Sequence, residues 1–173
     1  LRLSMSIGNS ERLQADLLDQ RCDVAIAANV QKDPRIHSFS FRQDHLIPFV
    51  DRNHAWARRR RIRLEDLTGM RLILREPAST TRQCFDAAVA AAGIQIGEVL
   101  EIGSREAIRE AVAMGLGIGI VAASEFGDDM RLKALEFEGR IIGSTEFVAC
   151  LNDRRSTPLV KAFLDIVREG IGE

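Results

Sequence analysis

The chain has no tyrosine, a single tryptophan and no surplus of basic residues: 24 lysines and arginines stand against 25 aspartates and glutamates, for a formal net charge of -1. A protein that grips nucleic acid by itself usually carries excess cations that neutralise phosphates, so this chain alone is not expected to bind DNA tightly. No apolar run approaches the roughly 18 residues that cross a bilayer, and no charged-then-apolar leader opens the chain. We therefore expect no membrane partner and a cytoplasmic setting. The three cysteines, Cys22, Cys84 and Cys150, are far apart and odd in number. They lack paired metal-ligand spacing and are expected to be reduced, buried thiols.

Catalytic signatures are equally scarce. His37, His45 and His54 have no metal-ligand spacing, and no serine sits in a G-x-S-x-G elbow. Gly115, Gly117 and Gly119 invite a nucleotide-binding reading, but there is no G-x-x-x-x-G-K-[ST], and these glycines lead into an apolar run instead of following one. Close backbone packing is the better reading. No metal, no cofactor and no catalytic residue is expected, and the chain is not expected to be an enzyme.

With 46% apolar residues in 173, the sequence suits one soluble unit with a sizeable core, and the length also permits two small lobes. Leu1, Leu3, Met5 and Ile7 alternate with polar residues as a half-buried strand would. After a turn at Gly8, Asn9 or Ser10 caps a helix running to about Gln20, and Asp23 to Ala28 reads as a strand covered on both faces. Strand, helix and strand in this order suggest a right-handed crossover. Ile36 to Phe41 reads as an edge strand and His45 to Val50 as a separate one. His54 to Arg63 follows as a charged loop, Leu64 to Leu67 as one helical turn, and Arg71 to Leu74 as a strand.

Two clear helices come next. Phe85, Ala88, Val89 and Ala92 form one apolar stripe before Gly93, and Ile108, Ala111, Val112 and Gly115 form another behind a Ser104 cap. Strands are expected at Glu98 to Ile102, Gly117 to Ala122 and Glu146 to Leu151, with a strand-like stretch at Leu132 to Phe137. A short helical stretch is expected from Ala123. Thr157 and Pro158 open a last helix whose inward stripe reads as Leu159, Phe163, Ile166 and Val167. Alternating strands and helices indicate an α/β fold with parallel sheets.

Four stretches in order, "GNSERLQADLLDQRCDVAIAA", "HLIPFVDRNHAWARRRRIRLEDLTGMRLILREPAST", "SREAIREAVAMGLGIGIVAAS" and "STPLVKAFLDIVREGI", together resemble the effector-binding domain of LysR-type transcription regulators. The resemblance spans nearly the whole chain. It implies a two-lobe α/β fold like that of the type 2 periplasmic solute-binding proteins, with a small effector in the interlobe cleft. Residues 1–46 and 149–173 would form one lobe and 50–145 the other, with two crossing strands near 47–49 and 146–148 that can act as hinges. It further implies a helix-turn-helix domain outside this chain as the only route to DNA, and a homodimer or homotetramer for the intact regulator. The chain begins at what looks like the second strand of the fold, so the first lobe is expected to lack its N-terminal part. Two rival functions share this architecture: a transporter's solute-binding protein, and an enzyme working in the cleft.

In open α/β sheets ligands sit beyond the carboxyl ends of strands, where helix N-termini offer unpaired amides. Three such turns supply the candidate ligand-binding residues: Asn9 and Ser10; Ser79, Thr80, Thr81 and Arg82; and Ser104. The Ser79-Thr80-Thr81 run resembles the family's second-lobe effector loop. Hydroxyls beside a positive helix end favour a small organic anion, and Arg82 can add a charge-assisted contact. The same hydroxyls also read as simple helix caps. Arg58 to Arg61 with Arg63 forms a conspicuous basic run, which suits DNA phosphates or a partner's acidic surface but reads better as a solvated loop.

Overall fold

The computed structural model describes residues 2–171. Its elements in chain order are α1 (Ser10–Leu18), β1 (Val24–Ala28), β2 (Ile36–Asp51), β3 (Arg61–Ile62), a 3₁₀ turn (Leu64–Leu67), β4 (Leu72–Leu74), α2 (Thr80–Ala92), β5 (Val99–Glu101), α3 (Arg105–Ala113), β6 (Ile118–Ala122), a second 3₁₀ turn (Ala123–Glu125), β7 (Leu132–Ala134), β8 (Glu136–Phe137), β9 (Gly143–Leu151) and α4 (Pro158–Ile171). The chain divides into two compact units, Leu1–Gln43 with Thr145–Glu173, and Asp44–Ser144. These divisions fall a few residues before the boundaries expected from the sequence. Both fall within strands, so β2 and β9 are each shared between the units.

In the first unit β1 pairs antiparallel with β9, Ile26 facing Val148, and β9 lies between β1 and β2. One face of this sheet packs Ala25 and Ala149 against Leu17 of α1. On the other, Val148 and Cys150 meet Val160 and Leu164 of α4. The expected stripe on α4 is therefore corrected. Val167 packs inward, but Leu159 and Ile166 are 66% and 68% exposed and Phe163 is also exposed. This helix carries apolar residues on two sides, and periodicity alone does not say which side meets the sheet.

Four further expectations fail here. The alternating segment forms no strand over residues 2–9, and Leu3, Met5 and Ile7 stand in solvent; Leu1 lies outside the described residues. Alternation marks a two-faced segment, but a strand also needs a neighbour to take its backbone hydrogen bonds. Without it, the first strand-helix-strand crossover is not formed. Nor is β1 covered on both faces, because Ile26 is exposed. Finally, Ile36 to Phe41 and His45 to Val50 are one continuous strand, because the polar residues between them, Arg42 to Asp44, stay extended.

The second unit is built on β6, which pairs parallel with β4 and antiparallel with β2, while β4 also pairs parallel with β5. The sheets are thus mixed, not wholly parallel. Phe85 and Val89 of α2 join one core with Leu72, Leu74, Ile118 and Ile120. Ile108 and Val112 of α3 join another with Ile73, Phe49 and Val121 on the opposite face. Gly93 ends α2 in the left-handed conformation at φ +67°. At Gly119 a Cβ would overlap two ring carbons of Phe49 and lie 2.9 Å from Cγ2 of Val112, so close backbone packing is what this glycine serves.

Cys150 is buried as expected, whereas Cys22 and Cys84 are only half-buried. Burial raises the thiol pKa of Cys22 and Cys150. Among the described residues no helix is long and apolar enough to cross a membrane.

Candidate functional site

The paired strands β4 and β5 run in the same direction, and the Ile102 amide extends their ladder by donating to the Leu74 carbonyl at 2.9 Å. Their carboxyl ends therefore lie side by side, and each leads within a few residues to a helix start. Five of the seven candidate residues, Ser79, Thr80, Thr81, Arg82 and Ser104, are brought to this one end of the second unit. Asn9 and Ser10 belong to the first unit.

The candidates differ in what they already do. Asn9 caps α1, its Oδ1 accepting from the Arg12 amide at 2.9 Å, and Ser10 is the first helical residue. The Ser104 hydroxyl accepts from the Ala107 amide at 3.3 Å and donates to Oε2 of Glu106 at 2.8 Å. Hydrogen bonds from its own amide and from Ser104 hold the Glu106 carboxyl below its ordinary pKa. Ser79 occupies the cap position of α2 without a side-chain capping bond, and it is buried at 4% exposure. Thr80 and Thr81 are half-buried on the first turn.

Arg82 is engaged on both sides, by the next turn of its own helix and by the segment before it. Its Nε donates to both carboxylate oxygens of Asp86 at 2.9 and 2.8 Å, and its Nη1 donates to the Arg75 carbonyl at 3.1 Å. That last bond ties the first turn of α2 to the end of β4, which is a positioning role.

Sequence reasoning missed Arg75, Glu76 and Arg105, which stand in or beside the two strand-to-helix turns. Arg75, mostly buried, makes a two-pronged contact with Glu76, Nε to Oε2 at 2.8 Å and Nη2 to Oε1 at 2.9 Å. This contact is the main reason the Glu76 carboxyl is held below its ordinary pKa. Glu76 in turn reaches the neighbouring turn, because a Cβ on Gly103 would lie 3.9 Å from its Oε2. Arg105, the first residue of α3, holds Oε1 of Glu125 through Nη2 at 2.8 Å. Its Nε is buried and has no hydrogen-bond partner. The side chain as a whole is 38% exposed and ion-paired, so it is this one N–H, and not the charge, that lacks an acceptor and calls for an explanation. The signal in the sequence was an arginine next to each strand-to-helix turn, but neither its partner nor its burial is written locally.

The site thus sets a buried serine and an unsatisfied guanidinium N–H beside the first turns of α2 and α3. Among the described residues, no group of three or more histidine, cysteine, aspartate or glutamate side chains is placed to hold a metal ion.

The family model of the LysR substrate binding domain matches residues 1–172. The chain belongs to that family. Among curated proteins it is 29% identical to the HTH-type transcriptional regulator CbbR of Xanthobacter flavus, over 98% of this chain and 53% of that protein. The chain spans about half the length of the curated relatives it matches. Among solved structures, the Synechocystis PCC6803 CcmR regulatory domain in complex with 2-PG superposes with a TM-score of 0.87 at 23% identity, covering 99% of this chain and 84% of that one. The effector binding domain of QuiR in complex with shikimate superposes at 0.84 and 23% identity, covering 94% and 78%. The fold is accordingly the α/β, type 2 periplasmic-binding-protein-like one. Membership in a family of transcription regulators favours the regulator reading over a transporter's solute-binding protein, and the relatives are regulators, not enzymes.

Proposed function

We propose that this chain senses a small organic anion at the turns joining β4 to α2 and β5 to α3, and that the intact protein passes its occupancy to a helix-turn-helix domain on DNA. The observation that carries the reading is the buried, unpartnered Nε of Arg105 beside two helix starts. A carboxylate or phosphate oxygen placed there would satisfy it, and the first amides of α2 and α3 would add favourable dipoles. Ser79, Thr80 and Thr81 supply further hydroxyls, and Ser104 adds one when its O–H turns from Glu106 to the ligand, while Arg75 and Glu76 fix the wall between the two turns. Asn9 and Ser10 are proposed as ligand-contacting residues on the sequence pattern alone.

Solved relatives carry 2-PG and shikimate, both suitable as first probes. A ligand changes a conformational equilibrium only through a difference in affinity between its states. The regulator is therefore proposed to work as a homodimer or homotetramer whose DNA-bound arrangement depends on whether this site is filled. It is a binding protein of the cytoplasm, with neither catalytic residue nor cofactor.

The test is thermal unfolding of the chain against a panel of small organic anions that includes 2-PG and shikimate. A ligand that binds only the folded state must raise the midpoint, by an amount that grows with its concentration. Arg105→Gln and the pair Thr80→Ala with Thr81→Ala should each abolish the rise while leaving the unliganded protein folded. If a compound raises the midpoint equally in all three proteins, the site is elsewhere. If no anion shifts any of them but neutral compounds do, the anionic reading is wrong.

A further inference from the structure

The arginine run is split by the fold. Arg59 lies over the Trp56 ring, 5.3 Å from its centroid, and approaches Asp66 at 3.8 Å, while Arg63 approaches the same carboxylate at 4.0 Å. Arg60 and Arg61 point the other way, into an open groove of about 680 Å³ within the second unit. Lys133 of β7 and Arg140 line it too, with Phe137, Gly139 and Ile141. These four cations come from three separate stretches of sequence. Among the described residues Arg60, Arg61 and Lys133 have no ion pair, and Arg140 reaches only Glu65, at 3.9 Å. The groove contains one carboxylate, Glu136, which faces His45 at 3.6 Å.

Like charges gathered with so little compensation repel one another, and a partner of opposite sign relieves this. The groove is not uniformly charged, however. Gly139 turns the chain at φ +70°, and beyond it Ile141 stands 90% exposed among the cations. We propose that this groove docks an acidic segment of another protein in which an apolar side chain is set between carboxylates. Arginine forks match carboxylates in two-pronged fashion, and the apolar residue of the partner covers Ile141. A phosphodiester backbone offers nothing to cover an isoleucine. A small molecule would remain largely in water in so open a groove, whereas small-molecule sites enclose most of their ligand.

The inference does not depend on the effector site, since no residue is shared. It is tested on the chain by fluorescence anisotropy at low salt, using a labelled synthetic peptide of alternating glutamate and leucine. The peptide should bind, and more tightly than labelled polyglutamate. The double variants Arg60→Glu with Arg61→Glu, and Lys133→Glu with Arg140→Glu, should each weaken it by about tenfold or more, since each reverses two rim contacts. Ile141→Ser should weaken the alternating peptide and leave polyglutamate unchanged. Arg58→Glu, outside the groove lining, should have little effect. These side chains are exposed, so melting curves should stay near that of the parent and exclude misfolding. Failure of the peptide to bind, or binding indifferent to the groove variants, overturns the proposal. So does tighter competition by tripolyphosphate or duplex DNA than by unlabelled peptide, which would make the groove a phosphate surface.

Discussion

Replacing Gly119 with alanine tests the packing that aligns the strands beneath the candidate site. Gly119 is the second residue of β6, opposite Phe49 of β2 and next to Ile73 of β4. The added methyl would overlap ring carbons of Phe49 and press on Val112, both fully buried, with Phe49 further held edge-on against Phe126 at 5.6 Å between centroids. Neither neighbour has room to retreat, so the cost belongs in the upper part of the range for overpacked cores, about 2–3 kcal/mol. For a chain of this size that corresponds to a fall in melting temperature of about 4–12 °C. Calorimetry or circular dichroism reads it directly. Phe49→Leu makes room at the same point, so the double variant should be more stable than the two separate losses imply, by at least about 0.5 kcal/mol. Should Gly119→Ala melt within about 1 °C of the parent, or should the two losses simply add, the close approach is not what this glycine is for.

Burial on α4 is tested by comparing Leu164→Ala, expected to cost about 2–5 kcal/mol, with Leu159→Ala, expected within about 0.5 kcal/mol, in the same melts. Equal losses would restore the stripe read from the sequence. The Arg131 guanidinium lowers the Asp129 carboxyl to a pKa of about 2. Because the folded value is depressed, its stabilisation is complete above the ordinary carboxylate range, near 4, and is lost as pH falls toward about 2. The melting temperature should thus fall more steeply over that window in the parent than in Asp129→Asn, and parallel curves would contradict this. Thiol labelling under native conditions should reach Cys22 and Cys84 well before Cys150, which should react only on unfolding.

The elements that the sequence determined are those settled by neighbouring residues. Ser104 caps α3 through an amide three residues away, Gly93 ends α2 at positive φ, and the stripes Phe85–Val89 and Ile108–Val112 bury as their spacing requires. Each depends on interactions within one or two helical turns, which a linear reading contains. The strand-to-helix turns bearing Ser79 to Arg82 and Ser104 were legible for the same reason.

Tertiary structure decided the rest, because it depends on what distant residues place alongside. The alternating segment at residues 2–7 has a strand's pattern but no ladder partner, and α4 has two apolar sides of which the sheet selects one. Parallel pairing of β4 with β5 sets Arg75, Glu76 and Arg105 at one end of a unit, though thirty positions of sequence separate the first from the last. The same holds for the basic run. Five neighbouring arginines look alike in sequence, and only packing against Trp56, Asp66 and the distant stretch from Lys133 to Ile141 makes some of them structural and leaves others facing an open groove. Charge and periodicity are local properties, whereas partners are assigned by the fold.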